Sequence, residues 1–314
     1  MPGKRLIYGC MGLGTNSDTG TVSKGEAVHA EKAILAAYAN GITVFDLADI
    51  YAGGTAELAF GEVLKRNPGL RENIIIQSKT GICLGAGAGG SNTYNLSKDY
   101  IISRTEAILK RIGIEYLDVL LLHRPDPLMN PEHIAKAFAD LKSRDLVRAF
   151  GVSNMSVSQI EYIEKSRFLP IQVNQLQFSL GHRLLLDFGP DVNTRRSSFF
   201  PGTEGLLEHA AMRNMEIQCW GAMDSGKFTG RDIPEMSEAE KHTAELVAKL
   251  AEKYQCPKEA IVLAWILRLP YPLSPVIGTT DPDRISKCKV ALDIELSRED
   301  WYDLWITARG KGLP

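Results

Sequence analysis

An α/β protein folded as a closed (β/α)8 barrel of the TIM type, with extra C-terminal helices and long loops on the catalytic face, is the architecture expected of this chain. Short apolar runs alternate with amphipathic segments along its whole length, the pattern of parallel strands joined by crossover helices. Several runs end in polar, chemically useful side chains, as the strands of such a barrel do at their catalytic end. The 314 residues, 44% of them hydrophobic, suit a barrel that forms one domain over 1–314. An open doubly wound sheet alternates in the same way, but functional residues spread over many strand ends favour closure.

The first expected strand is 6–8, stopped by Gly9. A helix over 26–40 sets Ala30, Ala33, Ile34, Ala37 and Tyr38 on one face and halts at Gly41, a residue suited to a left-handed helix end. Strand 43–46 is β-branched and aromatic until Asp46, and Ala52-Gly53-Gly54 punctuates the loop that carries Tyr51. A helix over 56–65 follows. Strand 74–78 delivers Lys79 and then a glycine-rich loop. Gly85, Gly87 and Gly90 in that loop spell GxGxxG, but no strand immediately precedes them and no helix follows, so they read as a mobile loop over the catalytic face rather than a dinucleotide fingerprint. A helix from about Lys98 places Ile101, Ile102, Thr105, Ile108, Leu109 and Ile112 at helical spacing. Strand 117–122 ends at His123, and helix 131–143 opens on Pro131, where a missing N–H costs little.

The second half is expected to run as strand 147–152, helix 157–165, strand 171–175, helix 203–213, strand 215–220, helices 237–254 and 258–269, strand 273–277 and helix 282–290. The stretch 179–202 is too polar and irregular for an ordinary connection. It is expected to be mobile and to help shape a pocket through Phe199 and Phe200, unless it is a surface insertion covering apolar area.

A formal charge of -2 leaves no basic footprint for nucleic acid, and no run approaches the ~18 apolar residues of a membrane span. The first ten residues reach Gly9 and Cys10 before an apolar core builds, unlike a secretory signal, so a cytoplasmic protein is expected. Cys10, Cys83, Cys219, Cys256 and Cys288 are scattered without a CxxC pair and read as reduced thiols. Paired histidines or carboxylate clusters for a metal hydrolase are missing, and no metal is expected.

Asp46, Tyr51, Lys79 and His123 stand at three consecutive strand exits. A tyrosine holds its proton to about pH 10 and is a poor acid unless a cation stabilises the phenolate. Lys79 supplies such a cation, and a buried lysine needs a carboxylate such as Asp46 to stay charged. His123 is suited to orienting an incoming carbonyl oxygen or joining a proton relay. Taken singly, each has a plain structural role as a loop cap, a half-buried aromatic, a surface charge or a strand cap. Together they suit proton donation to an oxygen becoming an alkoxide, which demands a hydride donor.

The motifs GCMG at 9–12, FDLADIY at 45–51, SKTG at 78–81, LLHRPDP at 121–127, GVSN at 151–154, VNQLQFS at 173–179 and AWILRLP at 264–270 resemble those of the aldo-keto reductases over nearly the whole chain. ADIYAGG and HRPDPLM look most like a bacterial branch of general oxidoreductases. The resemblance implies an NADPH-dependent reductase of aldehyde or ketone carbonyls, with Tyr51 as general acid, Lys79 and Asp46 tuning it and His123 placing the carbonyl. It also implies a cofactor site made by Cys10 and Met11; by Ser153, Asn154 and Gln175 at the carboxamide; by Trp220 stacked on the nicotinamide; by Gly221 to Lys227 at the pyrophosphate; and by Gly278, Thr279, Thr280 and Arg284 at the adenosine phosphate. The alternative it leaves is a redox-sensing regulatory subunit that binds NADP(H) with little turnover. The expected partner is a small carbonyl compound, and a monomer is expected.

Overall fold

Eight parallel strands close into a barrel in a computed structural model that describes residues 4–15, 20–166, 170–191 and 202–314. They are β1 (Ile7–Gly9), β2 (Val44–Asp46), β3 (Ile75–Thr80), β4 (Leu117–Leu122), β5 (Val147–Ser153), β6 (Val173–Gln177), β7 (Glu216–Trp220) and β8 (Leu273–Ile277). Each lies beside its sequence neighbours, and β8 returns to β1. The helices are α1 (Lys24–Ala39), α2 (Thr55–Arg66), α3 (Lys98–Ile112), α4 (Pro131–Ser143), α5 (Val157–Glu164), α6 (Leu184–Asp191), α7 (Leu206–Arg213), α8 (Glu238–Lys253), α9 (Lys258–Leu267), α10 (Pro282–Lys289) and α11 (Arg298–Arg309).

Local chemistry sets many of these boundaries. Ser23 with Glu26, Ser156 with Gln159 and Ser237 with Glu240 form reciprocal capping boxes that satisfy the first amides of α1, α5 and α8. Asn130 caps α4 and Pro131 occupies its first turn. Gly113 ends α3 in the left-handed conformation, with φ of 77°.

Three expectations change. Within 179–202 the chain forms α6, a helix obscured by Gly189 and Pro190; Phe199 and Phe200 lie outside the described residues. The glycine-rich segment after β3 is bracketed by Ile82–Cys83 and Thr93–Tyr94, which pair antiparallel, so it is the turn of a small hairpin. Strand ends also move. β3 runs through Thr80, placing Lys79 inside it, and β6 lies later than expected, placing Gln175 at its centre.

Contacts gather the chain into two compact units. One comprises Ile7–Gln175 with Gly278–Pro282. Its core includes Tyr8, Phe45 and Phe60, whose rings follow one another at 5.8 and 5.5 Å, and Phe138 stacked on Phe150 at 3.9 Å. In this unit α2 meets α3 at Gly61, where an added Cβ would come within 2.5 Å of the Ile112 carbonyl oxygen. The other comprises Met1–Leu6, Leu176–Ile277 and Asp283–Pro314. It is centred on buried Trp265, parallel to Trp301 at 5.7 Å and in contact with Phe178 at 5.4 Å.

Candidate active site

Successive strand side chains point to opposite faces, and β3 divides its polar residues accordingly. Gln77 and Lys79 turn to Asp46, while Ser78 and Thr80 reach Glu57 and Asp49. Lys79 is fully buried. Its Nζ lies 2.8 Å from both oxygens of Asp46 and donates to the Leu47 carbonyl at 2.8 Å and to Tyr51 Oη at 2.9 Å. An ammonium has three donors and no acceptor, so all three are engaged. Tyr51 Oη is therefore an acceptor toward Lys79, and its own proton is left for another oxygen.

The phenol is held in position by an unusual turn. Ala52, Gly53 and Gly54 follow it with φ of 49°, 65° and 95°, left-handed values that glycine adopts at little cost. Burial pushes the Tyr51 hydroxyl above its ordinary value, outweighing the downward pull of Lys79, so the free chain holds Tyr51 protonated. Burial opposes the charge on Lys79, but Asp46 prevails and the amine rises above its usual range. His123 lies edge-on to Tyr51, with ring centroids 6.1 Å apart. Burial, then the charges of Lys79 and Arg124, pushes His123 down to about 2. It is thus a neutral imidazole, and its buried Nδ1 has no hydrogen-bond partner among the described residues. A neutral donor able to orient an oxygen remains; an imidazolium proton source does not.

The four residues expected to act together are therefore brought together. Behind them, Gln175 Nε2 donates to Asp46 Oδ1 at 3.0 Å, Ser153 Oγ to the Gln175 carbonyl at 2.9 Å and Asn154 Nδ2 to Ser153 Oγ at 2.7 Å. Cys10 is buried in the turn after β1, whereas Met11 is exposed. That turn meets the exit of β8: an added Cβ at Gly12 would touch Thr280 Cγ2 at 3.4 Å and the Gly278 oxygen at 3.9 Å. Thr279 Oγ1 accepts from the Asp281 amide at 3.3 Å.

The remaining expected residues belong to the second unit. Trp220 ends β7 half-buried, and Gly221 follows with φ of 67°. Lys227 pairs with Glu240 of the α8 cap. Arg284 lies 3.4 Å from Glu259 and donates to Thr229 Oγ1 at 3.3 Å. An added Cβ at Gly226 would come within 3.3 Å of Arg284 Nη2, so the loop after β7 and the start of α10 meet.

Sequence reasoning missed Gln77, whose Nε2 donates to Asp46 Oδ1 at 2.5 Å. Its position two residues before Lys79 on one strand was the available signal. Also missed were the buried pairs of Asp49 with Arg104 at 2.8 Å and Glu57 with Arg111 at 2.7 Å. Asp49 and Glu57 flank the Tyr51 turn in sequence. Among the described residues no cluster of three or more His, Cys, Asp or Glu could hold a metal, and no helix is long and apolar enough to cross a membrane.

The model of the aldo/keto reductase family matches residues 5–305. A 6-dehydroglucose reductase of Agrobacterium fabrum is 31% identical across 98% of this chain and 95% of its own. The uncharacterized oxidoreductase YcsN of Bacillus subtilis is 33% identical across 88% of this chain and 86% of its own. The structure of a glycerol dehydrogenase from Gluconobacter oxydans superposes with a TM-score of 0.81 at 20% identity, covering 100% of this chain and 95% of that one; at that identity the likeness is one of fold.

Proposed function

Because the chain belongs to the aldo/keto reductase family, and so is an NAD(P)H-dependent oxidoreductase, we propose that it uses NADPH to reduce aldehyde or ketone carbonyls to alcohols. The observation that carries this reading is the engagement of all three Lys79 donors, one of them on Tyr51 Oη. That arrangement leaves the phenol proton free to move to a substrate oxygen.

When bound, reduced nicotinamide would supply the hydride that carbonyl reduction needs. Tyr51 gives its proton to the carbonyl oxygen as negative charge develops there. Lys79 stabilises the phenolate left behind, and its effect is strong because the amine is buried and acts through little water. Asp46 keeps that amine charged, while Gln77 and Gln175 hold the carboxylate. His123, neutral at working pH, orients the carbonyl oxygen by hydrogen bonding.

The residues present fit such a cofactor. Gly226 leaves room beside Arg284 that a Cβ would fill, and the guanidinium matches a phosphate with paired donors. Thr279 and Thr280 stand just before α10, whose first amides favour an anion. Trp220 offers a half-buried indole face at the exit of β7. These features support a 2'-phosphorylated cofactor, with Ser153 and Asn154 toward the carboxamide and Gly221 to Lys227 along the pyrophosphate.

An aldehyde and ketone panel run with NADPH and NADH tests the activity. Tyr51→Phe should lower kcat by about a hundredfold to ten-thousandfold and leave the Kd for NADPH nearly unchanged; near wild-type turnover would remove Tyr51 as proton donor. Arg284→Ala should weaken NADPH much more than NADH, by about 1.5–3 kcal/mol for a charged hydrogen-bonded pair. Equal losses would assign Arg284 to loop support.

A further inference from the structure

Arg124 directly follows His123 at the exit of β4 and is half-buried. Among the described residues its guanidinium makes no hydrogen bond or ion pair. Other guanidiniums of the same unit are met by carboxylates: Arg71 by Asp118 at 2.9 Å, Arg104 by Asp49 at 2.8 Å and Arg111 by Glu57 at 2.7 Å. The carboxylate nearest to Arg124 in sequence is engaged elsewhere. Asp126 accepts from the Leu96 amide at 3.0 Å and the Leu128 amide at 2.8 Å, and Pro125 between them has no N–H to offer.

The segments leaving the first four strands, residues 10–23, 47–54, 81–97 and 123–130, contain no other lysine or arginine. Lys79, the cation of the candidate site itself, is already paired with Asp46. The charge of Arg124 is felt at His123, where it adds to burial and Lys79 in keeping the ring neutral. A partly desolvated guanidinium without a counter-ion among the described residues, adjacent in sequence to His123, is suited to receive an anion with a planar pair of donors.

We propose that Arg124 anchors the substrate, and that the preferred carbonyl compounds carry an anionic group, a carboxylate or a phosphate, a few carbons from the reacting carbon. The anchor deepens the carbonyl-reductase reading and rests on it. Its test is kcat/KM with NADPH for two matched pairs, 4-oxobutanoate against butanal and glyceraldehyde 3-phosphate against glyceraldehyde. Wild type is compared with Arg124→Gln, which removes the charge, and Arg124→Lys, which keeps it without the fork.

Wild type should favour the anionic member of at least one pair by about tenfold or more, and the pair that shows this identifies carboxylate or phosphate. Arg124→Gln should abolish the preference, chiefly through KM, and Arg124→Lys should retain part of it. The anchor is overturned if wild type favours neither anionic member, or if the preference survives in Arg124→Gln. If no compound is turned over, the carbonyl-reductase reading has failed by itself, and calorimetric titration of the full chain with 4-oxobutanoate and with glyceraldehyde 3-phosphate decides the anchor. Binding lost in Arg124→Gln then sustains it; absent or unchanged binding overturns it.

Discussion

That Asp46, Tyr51, Lys79 and His123 come together was legible because each is a functional type stranded at the end of an apolar run, where plain packing explains it poorly. Their second partners were not legible. Nothing in the local pattern at Gln77 or Gln175 announces that both amides converge on Asp46, because that convergence depends on barrel closure. The state of His123 was open as well, since orienter and proton relay predict the same residue and only its burial separates them. A sign follows for pH dependence. The folded value near 2 lies below the ordinary 6.5, so below pH ~6.5 the unfolded chain binds a proton that the folded chain refuses. Stability therefore falls as pH drops from about 6.5, by up to about 1.4 kcal/mol per pH unit from this group. Urea midpoints between pH 7 and 5 should decline less steeply in His123→Asn than in wild type; parallel declines would mean that His123 titrates normally.

Among the elements, helices with a serine or proline start and strands of five or more residues were anticipated within a few positions. Those that escaped lack such signals. The hairpin strands Ile82–Cys83 and Thr93–Tyr94 are two residues each, too short for any periodicity, and α6 contains Gly189 and Pro190, which ordinarily argue against a helix. Close packing between elements was equally invisible. At Gly61 a helix-propensity scale predicts that alanine stabilises α2 by about 1 kcal/mol. The added methyl would lie 2.5 Å from the Ile112 oxygen and 3.0 Å from the Arg111 oxygen. Both are backbone atoms that cannot swing aside, and overpacking of this kind costs about 1–3 kcal/mol or more. The clash outweighs the propensity, so Gly61→Ala should lower Tm; a rise would show that α2 and α3 separate easily.

For the whole molecule, alternation and length were enough to anticipate a closed barrel, whereas the buried carboxylate at the start of β7 and its partners were not. Arg5 precedes β1 and forms a two-pronged pair with Glu216 of β7, at 2.8 and 2.7 Å, and Glu216 also accepts from Ser274 of β8 at 2.6 Å. Burial alone would raise Glu216, yet Arg5 and its other donors bring it below the usual carboxylate range. That stabilisation is present above the unfolded carboxylate value and is lost as pH falls through the folded one. Arg5→Ala, which leaves the buried carboxylate short of a partner while Ser274 and Gln218 still donate to it, should cost about 1–3 kcal/mol at pH 7, less than a fully buried pair because Arg5 is 34% exposed. The deficit should shrink by pH 4, where the carboxyl accepts a proton; a deficit independent of pH would assign the loss to packing.

A carbonyl-reducing protein keeps company with electrophiles, and the engagement of Lys79 bears on its survival among them. An amine that is charged and committed through all three hydrogens has no lone pair with which to form an imine. The inner thiols are similarly withdrawn: Cys10 and Cys219 are buried and raised in pKa, and Cys288 is pushed up to about 12, so thiolate is scarce at each. Exposure to a reactive aldehyde followed by borohydride should thus leave adducts on surface lysines and none on Lys79, Cys10, Cys219 or Cys288, as peptide mass mapping would read. The interior would then resist covalent poisoning by the compounds it transforms.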